Sequence, residues 1–316
     1  MRNAGPVLAV VLAILAFWYL ACVPMNAAES VTMAERAGAQ VEGGTAAERA
    51  RSSGLRLALL NPGPALGGAW DGERPRLPAP HQVSAELYQS TIGEEVFGRK
   101  GFFQTGELSN RSLVYHAGIT LTATFVGFLI GTAAGILLAV GIVHNRAMDM
   151  SVMPWAIVSQ TVPIVALAPM IIVVLNSVGV QGLLPKAIIS AYLSFFPVVV
   201  GMVKGLRTPD AMQLDLLRTW SASPSETLWK LRLPASVPYL FASLKIAIAA
   251  SLVGTIVGEL PVQRGGLGAR MLAGSYYGQT QQIWAALIVA ALLAASLVWL
   301  MGWLERRTLR AMGVPA

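Results

Sequence analysis

What most constrains this chain is a succession of long apolar runs, at 7–23, 114–143, 152–175, 183–203, 240–257 and 283–304. About 20 consecutive apolar residues in helical form cross the roughly 30 Å of hydrocarbon in a bilayer. Only helices and closed barrels satisfy their backbone groups there, and runs of this length belong to helices. Composition agrees: 55% of the residues are hydrophobic and 12% charged, against about 25% charged in soluble domains. The expected fold class is an all-α polytopic membrane protein with about six transmembrane helices.

The first run, 7–23, reads either as a cleaved signal sequence or as a retained transmembrane helix. The Phe17-Trp18-Tyr19 cluster suits an interfacial anchor and favours retention. Residues 24–112 form a long hydrophilic segment, rich in Ala, Gly, Glu and Arg, with little apolar periodicity. Such a stretch is expected to be extracytoplasmic and largely disordered, with 85–103 the better candidate for short ordered structure. The remaining domain, 113–310, holds the regular spans. Gly118, Gly127, Gly131 and Gly135 lie mostly four residues apart, as expected where helices approach closely in lipid. Gln160-Thr161-Val162-Pro163 interrupts the run at 152–175, which also carries Pro154 and Pro169.

Charge sets the topology. If the loop at 207–236 is cytoplasmic, that side gathers Arg146, Arg207, Arg218, Lys230, Arg232, Arg306, Arg307 and Arg310. The short loops opposite hold Lys186, Arg264 and Arg270. This bias places both termini in the cytoplasm of a bacterial inner membrane. It also explains the net charge of +7 without nucleic acid as a partner.

Several chemistries are excluded. No glycine-rich stretch ends in Gly-Lys-Ser/Thr, so this chain has no phosphate-binding loop of that type. His81, His116 and His144 are scattered, and Cys22 is the single cysteine, which leaves no metal cluster and no internal disulfide. The spans carry almost no ionisable residues beyond Lys245 and Glu259, which argues against a proton relay. Lys245, near the end of its span, is expected to snorkel to the interface. Neither catalysis nor a cofactor of its own is expected.

The most informative polar stretch is 210–238. Thr208-Pro209 and Ser223-Pro224-Ser225-Glu226 both read as helix starts, the second as a capping box, and Leu233-Pro234 as a helix end. Met212, Leu216, Leu217 and Trp220 share one face at helical spacing. Two short helices with a turn between them are expected. Without further information, they form either a surface amphipathic pair or a docking element.

This stretch resembles the EAA loop of ABC-importer permeases, with its pattern of Glu-Ala-Ala, three residues, Gly, nine residues, a branched residue, any residue and Leu-Pro. Aligned on Leu233-Pro234, Asp215-Leu216-Leu217 takes the Glu-Ala-Ala place, Ser221 the glycine and Leu231 the branched position. The spacing fits while the residues depart. Within that family the chain resembles the nitrate, taurine and alkanesulfonate group, including relatives that import thiamine-pyrimidine precursors or riboflavin. The resemblance extends from about residue 113 to the C-terminus. It implies a five-helix importer permease core of the MetI-like fold and a second permease copy. Two ATPase subunits would hold ATP and Mg, and a periplasmic binding protein would deliver the solute. It places the ATPase-coupling contacts at Asp215, Leu216, Leu217, Arg218, Trp220, Ser221, Ala222, Ser223, Leu231, Leu233 and Pro234, with Arg218 and Arg232 on the rim.

A translocation path is read at Gln160, Pro163, Tyr192, Phe195 and Phe196, where aromatic faces and one amide flank a disturbed helix. Ordinary packing is the competing reading. Glu259 sits either at the outer mouth of that path, or as a solvated helix-end carboxylate or partner of Arg264 or Arg270. The implied solute is a sulfonate, taurine or nitrate-like anion or a heteroaromatic vitamin precursor. A stand-alone channel or secondary carrier explains the spans as well, but not the loop.

Overall fold

The computed structural model describes residues 4–93, 112–262 and 265–313, and the described residues form helices and connecting loops without strands. Five helices are long and apolar enough to cross a membrane, or six if the bent pair below counts as one span. Two compact units divide the chain: 1–114 with 270–288, and 115–269 with 289–316.

The first unit contains α1 (Ala4–Arg36), α2 (Ala46–Arg51), α3 (Gly54–Leu60), α4 (Pro62–Gly67) and α5 (Pro80–Thr91). The first apolar run is therefore only the front of a helix that continues 13 residues past Val23. The disorder expected over 24–112 is corrected here: 24–93 is largely helical, while 94–111, including most of the 85–103 candidate, lies outside the described residues. Sequence periodicity missed this order because buried polar groups supply much of it. Asn26 donates to the carbonyls of Ala69 and Leu77, both at 2.8 Å, and accepts from Leu77 N–H at 3.0 Å. Arg49 is fully buried, paired with Glu35 and bonded to the Gly44 carbonyl. Such fully partnered polar groups specify a packing that an apolar count does not reveal. A small apolar cluster of Ala27, Leu57 and Ala65 completes the interior. The Trp18 and Trp284 rings pack at 4.8 Å, and Thr280 bonds the Pro75 carbonyl at 2.5 Å, joining the N-terminal helices to the 270–288 stretch. Burial raises the pKa of the Glu86 carboxyl, while the positive charge of Arg270 opposes that rise.

The second unit is built from α6 (Leu113–His144), α7 (Arg146–Ser159), α8 (Ile164–Ser177), α9 (Leu183–Leu206), α10 (Ala211–Thr219), α11 (Pro224–Thr227) and α12 (Leu233–Val262). α13 (Leu267–Tyr276) and α14 (Thr280–Ala311) divide between the units. Its core joins Phe128, Ile142, Val198, Met202, Ile248 and Met301 from α6, α9, α12 and α14. The glycine ladder does close-approach work: a Cβ on Gly131 would stand 2.1 Å from Ser194 Oγ and 2.8 Å from the Ala191 carbonyl. Gly127 and Gly135 meet α9 in the same way, whereas a Cβ on Gly118 meets nothing within 4 Å. Small residues are what let α6 and α9 approach in a setting where apolar burial drives little association.

The run at 152–175 is broken into two helices. α7 and α8 meet at Gln160–Pro163 with a bend of 101°. Pro163, which has no N–H to donate, ends one helix and caps the next. Lys245 does not snorkel freely; it pairs with Glu305 of α14, both side chains partly buried. A cation and a carboxylate within apolar helices stabilise one another far better than either stands alone.

Candidate functional site

The loop between α9 and α12 carries the two short helices expected, with one change of boundary. Asp210, not Thr208, caps α10, its carboxylate accepting from Gln213 N–H at 2.8 Å while the Gln213 side-chain oxygen accepts from Asp210 N–H at 3.3 Å. Ser223 caps α11 through the expected box with Glu226. Capping of this kind satisfies backbone donors that a short helix otherwise leaves exposed.

The turn between them explains one feature of the family pattern. Ser221 has φ of 53°, the one non-glycine with positive φ among the described residues. Its N–H reaches the Arg218 carbonyl at 2.9 Å, and Ala222 N–H reaches the Leu217 carbonyl at 3.0 Å. These two bonds make a Schellman close, whose left-handed position favours glycine. Ser221 holds that conformation at a steric cost, which is why the aligned pattern places glycine there.

Leu233-Pro234 does not end the second helix. α11 passes through a π-helical turn, Leu228–Arg232, directly into α12, and Pro234 falls in the first turn of α12, where proline is tolerated. From Pro224 onward the loop is thus continuous with a membrane-length helix.

Large apolar side chains of the loop stand exposed among the described residues. Met212 is 80% exposed, Trp220 74%, Trp229 68% and Leu216 55%. Leu217, Ala222, Leu231 and Leu233 are half-buried. Asp215 pairs with Arg218 at 2.9 Å, and Lys230 with Glu226 at 2.9 Å. Arg232 is half-buried and donates to the Leu206 carbonyl at 3.4 Å. Arg207 anchors the loop base to Asp149 of α7 at 2.8 Å. Beside Trp229 an apolar hollow of about 300 Å³ opens between Ile136, Met202, Leu233, Pro234 and Leu240.

The residues read as a translocation path are only partly brought together. The Tyr192 hydroxyl bonds the Ser159 carbonyl at the α7–α8 break, next to Gln160, and its ring lies 6.1 Å from that of Phe195. Pro163 is exposed at the same break, and Phe196 is half-buried on α9.

Glu259 is not a member of that group, and it is neither solvated nor at an open mouth. It is fully buried, accepting from the Thr120 hydroxyl at 2.8 Å and from Gly268 N–H at 2.9 Å. Arg264, one of its expected partners, lies outside the described residues. Gly266 packs so closely that an added Cβ would fall 2.1 Å from the carboxylate carbon. Lys186 is also buried and donates to the Gly265 carbonyl at 2.9 Å, and Thr120 accepts from Leu267 N–H at 2.9 Å.

These bonds belong to a polar seam that sequence reasoning missed. α6 contributes His116, Thr120 and Thr124; α9 contributes Lys186, Ser190 and Ser194; α12 contributes Ser251, Thr255 and Glu259. All nine are buried. Ser190 and Ser251 hydroxyls meet at 2.5 Å, Ser251 donates to the Thr124 carbonyl at 2.8 Å, and Thr124 and Thr255 hydroxyls meet at 3.1 Å. His116 accepts from Gly266 N–H at 3.0 Å. The available signal was the four-residue spacing of each set, which puts it on one helical face.

Comparison with known proteins bears on this architecture. A family model described as binding-protein-dependent transport system inner membrane component matches residues 131–310. A probable ABC transporter permease protein of Haemophilus influenzae is 30% identical over 209 residues, covering 66% of this chain and 82% of the relative. The riboflavin transport system permease protein RibX of Chloroflexus aurantiacus is 29% identical, covering 64% of this chain and 74% of its own length. The formylaminopyrimidine transport permease protein ThiX of Halalkalibacterium halodurans is 28% identical over 52% of this chain and 64% of its own. Among solved structures, an inward-facing MetNI methionine ABC transporter chain superposes with a TM-score of 0.50 at 23% identity. That match covers 64% of this chain and 94% of the other, a likeness of fold. With more than half of its length matched by the family model and a relative 30% identical, the chain belongs to the family of inner-membrane components of binding-protein-dependent ABC transport systems.

Proposed function

We propose that this chain forms the membrane pathway of an ATP-driven importer, and that the 207–236 loop is where ATPase subunits take hold of it. The observation that carries this reading is the exposure of Met212, Leu216 and Trp220, at four-residue spacing, and of Trp229 on a doubly capped loop. Exposed aromatic and aliphatic clusters of this kind mark interaction surfaces, and tryptophan is prominent among residues that dominate binding energy. The π-helical turn makes the loop one body with α12, so force applied at Trp220 is transmitted as tilting of a membrane-length helix.

In this reading the loop lies in the cytoplasm and both termini with it. Two copies of the chain enclose the path, two ATPases supply ATP and Mg chemistry, and a periplasmic binding protein delivers the solute. The chain itself hydrolyses nothing. The break at Gln160–Pro163, with Tyr192, Phe195 and Phe196 beside it, lines the path. The solute is a small organic or inorganic molecule, either a sulfonate or nitrate-like anion or a heteroaromatic vitamin precursor. The riboflavin and formylaminopyrimidine permeases among the relatives support the heteroaromatic end of that range, as does the aromatic pair beside the break.

Tagged protein, extracted gently from its own membrane and analysed by mass spectrometry, tests this reading. An ATPase with a phosphate-binding loop is expected to copurify. A chain recovered alone after crosslinking overturns the reading in favour of a stand-alone channel or secondary carrier.

A further inference from the structure

The family model begins its match at residue 131, so α1–α5 stand outside it. Their order therefore calls for an account of its own. Within this first unit, α1, α4 and the 71–75 turn border a half-open cavity of about 450 Å³. That volume falls in the range of about 300–1,000 Å³ in which small-molecule sites lie. Its walls are apolar or small, formed by Met33, Ala34, Ala37, Pro64, Gly67 and Pro75. Among the described residues, the charged side chains that line it are all carboxylates: Glu29, half-buried, and Asp71 and Glu73, exposed at the edge.

Basic groups nearby do not line the cavity. Arg74 and Arg76 act on Glu29 from a distance, and His81 approaches Asp71 at 3.6 Å. The polar groups of the floor are already engaged: Asn26 is bonded to Ala69 and Leu77, and Ser30 donates to the Asn26 carbonyl at 3.0 Å. A neutral polar ligand therefore finds few free partners on the floor. An anion meets repulsion from the carboxylates of Glu29, Asp71 and Glu73. An apolar body carrying one positive charge satisfies both features, filling the hollow while placing its charge against Glu29 and Glu73.

We infer that the N-terminal helical unit is a ligand-binding module, and that this cavity takes a small organic cation with an apolar body, such as a quaternary ammonium or protonated amine. The inference stands whether or not the chain transports the same molecule. It gives the unit a role as a receptor for a solute present on its side of the membrane.

The test uses full-length protein in nanodiscs of uncharged phosphatidylcholine, with isothermal titration calorimetry and empty nanodiscs as the blank. Benzyltrimethylammonium is the cationic probe, benzyl alcohol the neutral one and benzenesulfonate the anionic one. Saturable binding of the cation alone is expected. Glu29→Gln combined with Glu73→Gln should weaken it by about tenfold or more, with the melting temperature unchanged. Gly67→Leu, at a position where an added Cβ meets no atom within 4 Å, should fill the hollow and abolish binding in a folded protein. Absence of saturable cation binding, equal binding of benzenesulfonate, or wild-type affinity in the folded Gly67→Leu protein would each overturn the inference.

Discussion

The 207–236 loop and the buried seam of α6, α9 and α12 are opposites in chemistry. The loop shows apolar side chains to its surroundings and pairs its charges locally at its own surface. The seam holds hydroxyls, an imidazole, an ammonium and a carboxylate inside apolar helices, with bonds running from helix to helix. An exposed apolar row is incomplete without a partner, so it points outward to assembly. A buried bonded seam is complete, so it points inward to a fixed helix arrangement. Substitutions should therefore separate cleanly: seam variants lose the fold, and loop variants lose the partner.

The largest effect is expected at Glu259. Glu259→Leu leaves the Thr120 hydroxyl and Gly268 N–H without their acceptor and Lys186 without its nearby countercharge, and should cost about 3–5 kcal/mol of stability. Glu259→Gln keeps one acceptor oxygen and should cost about 1–3 kcal/mol. Thermal unfolding in detergent distinguishes these, and equal melting temperatures for both variants and wild type would break the contrast. Next comes the α6–α9 contact. Gly131→Ala should destabilise by about 1–3 kcal/mol through overpacking, while Gly118→Ala, facing open space, should be neutral or slightly stabilising.

At the loop the sign changes. Trp220→Ala should leave the melting temperature of the isolated chain within a degree or so, yet weaken ATPase association by about 2 kcal/mol, roughly 30-fold. Ala222→Asp, at a half-buried position of the same turn, should uncouple ATP hydrolysis from uptake, and normal coupling would remove Ala222 from the docking surface. The smallest effect is Ser221→Gly, which relieves the left-handed strain and should stabilise the loop by about 1 kcal/mol. Hydrogen exchange at the Ser221 and Ala222 amides would register it as slower opening.

Legibility followed the same division. The spans, the two capped helices and the apolar face at Leu216 and Trp220 could be read directly, because period and capping chemistry are local. Ser221 aligned with a glycine, and its positive φ supplies the physical reason. The seam went unread because a serine or threonine every fourth residue in an apolar helix looks incidental until a second helix answers it. Ser190 acquires its meaning only from Ser251, 61 positions away. The N-terminal unit misled for a related reason. Asn26 and the fully buried Arg49 hold it together, and composition counts both as signs of solvation. Proline also behaved by position: Pro163 breaks a run, whereas Pro234 sits in a first helical turn and breaks nothing.

The most direct test of the docking reading is a crosslink from the loop itself. Cys22 is the one native cysteine and is buried, so Trp220→Cys introduces a single accessible thiol. Treated with a short thiol-to-amine crosslinker in native membranes, this variant is expected to join an ATPase subunit. Val165→Cys on α8, also an exposed position, should not. An ATPase adduct at 220 and none at 165 is the outcome required. Adducts at neither position, or only with lipid-embedded proteins, would contradict the assignment of the loop as the ATPase-coupling element.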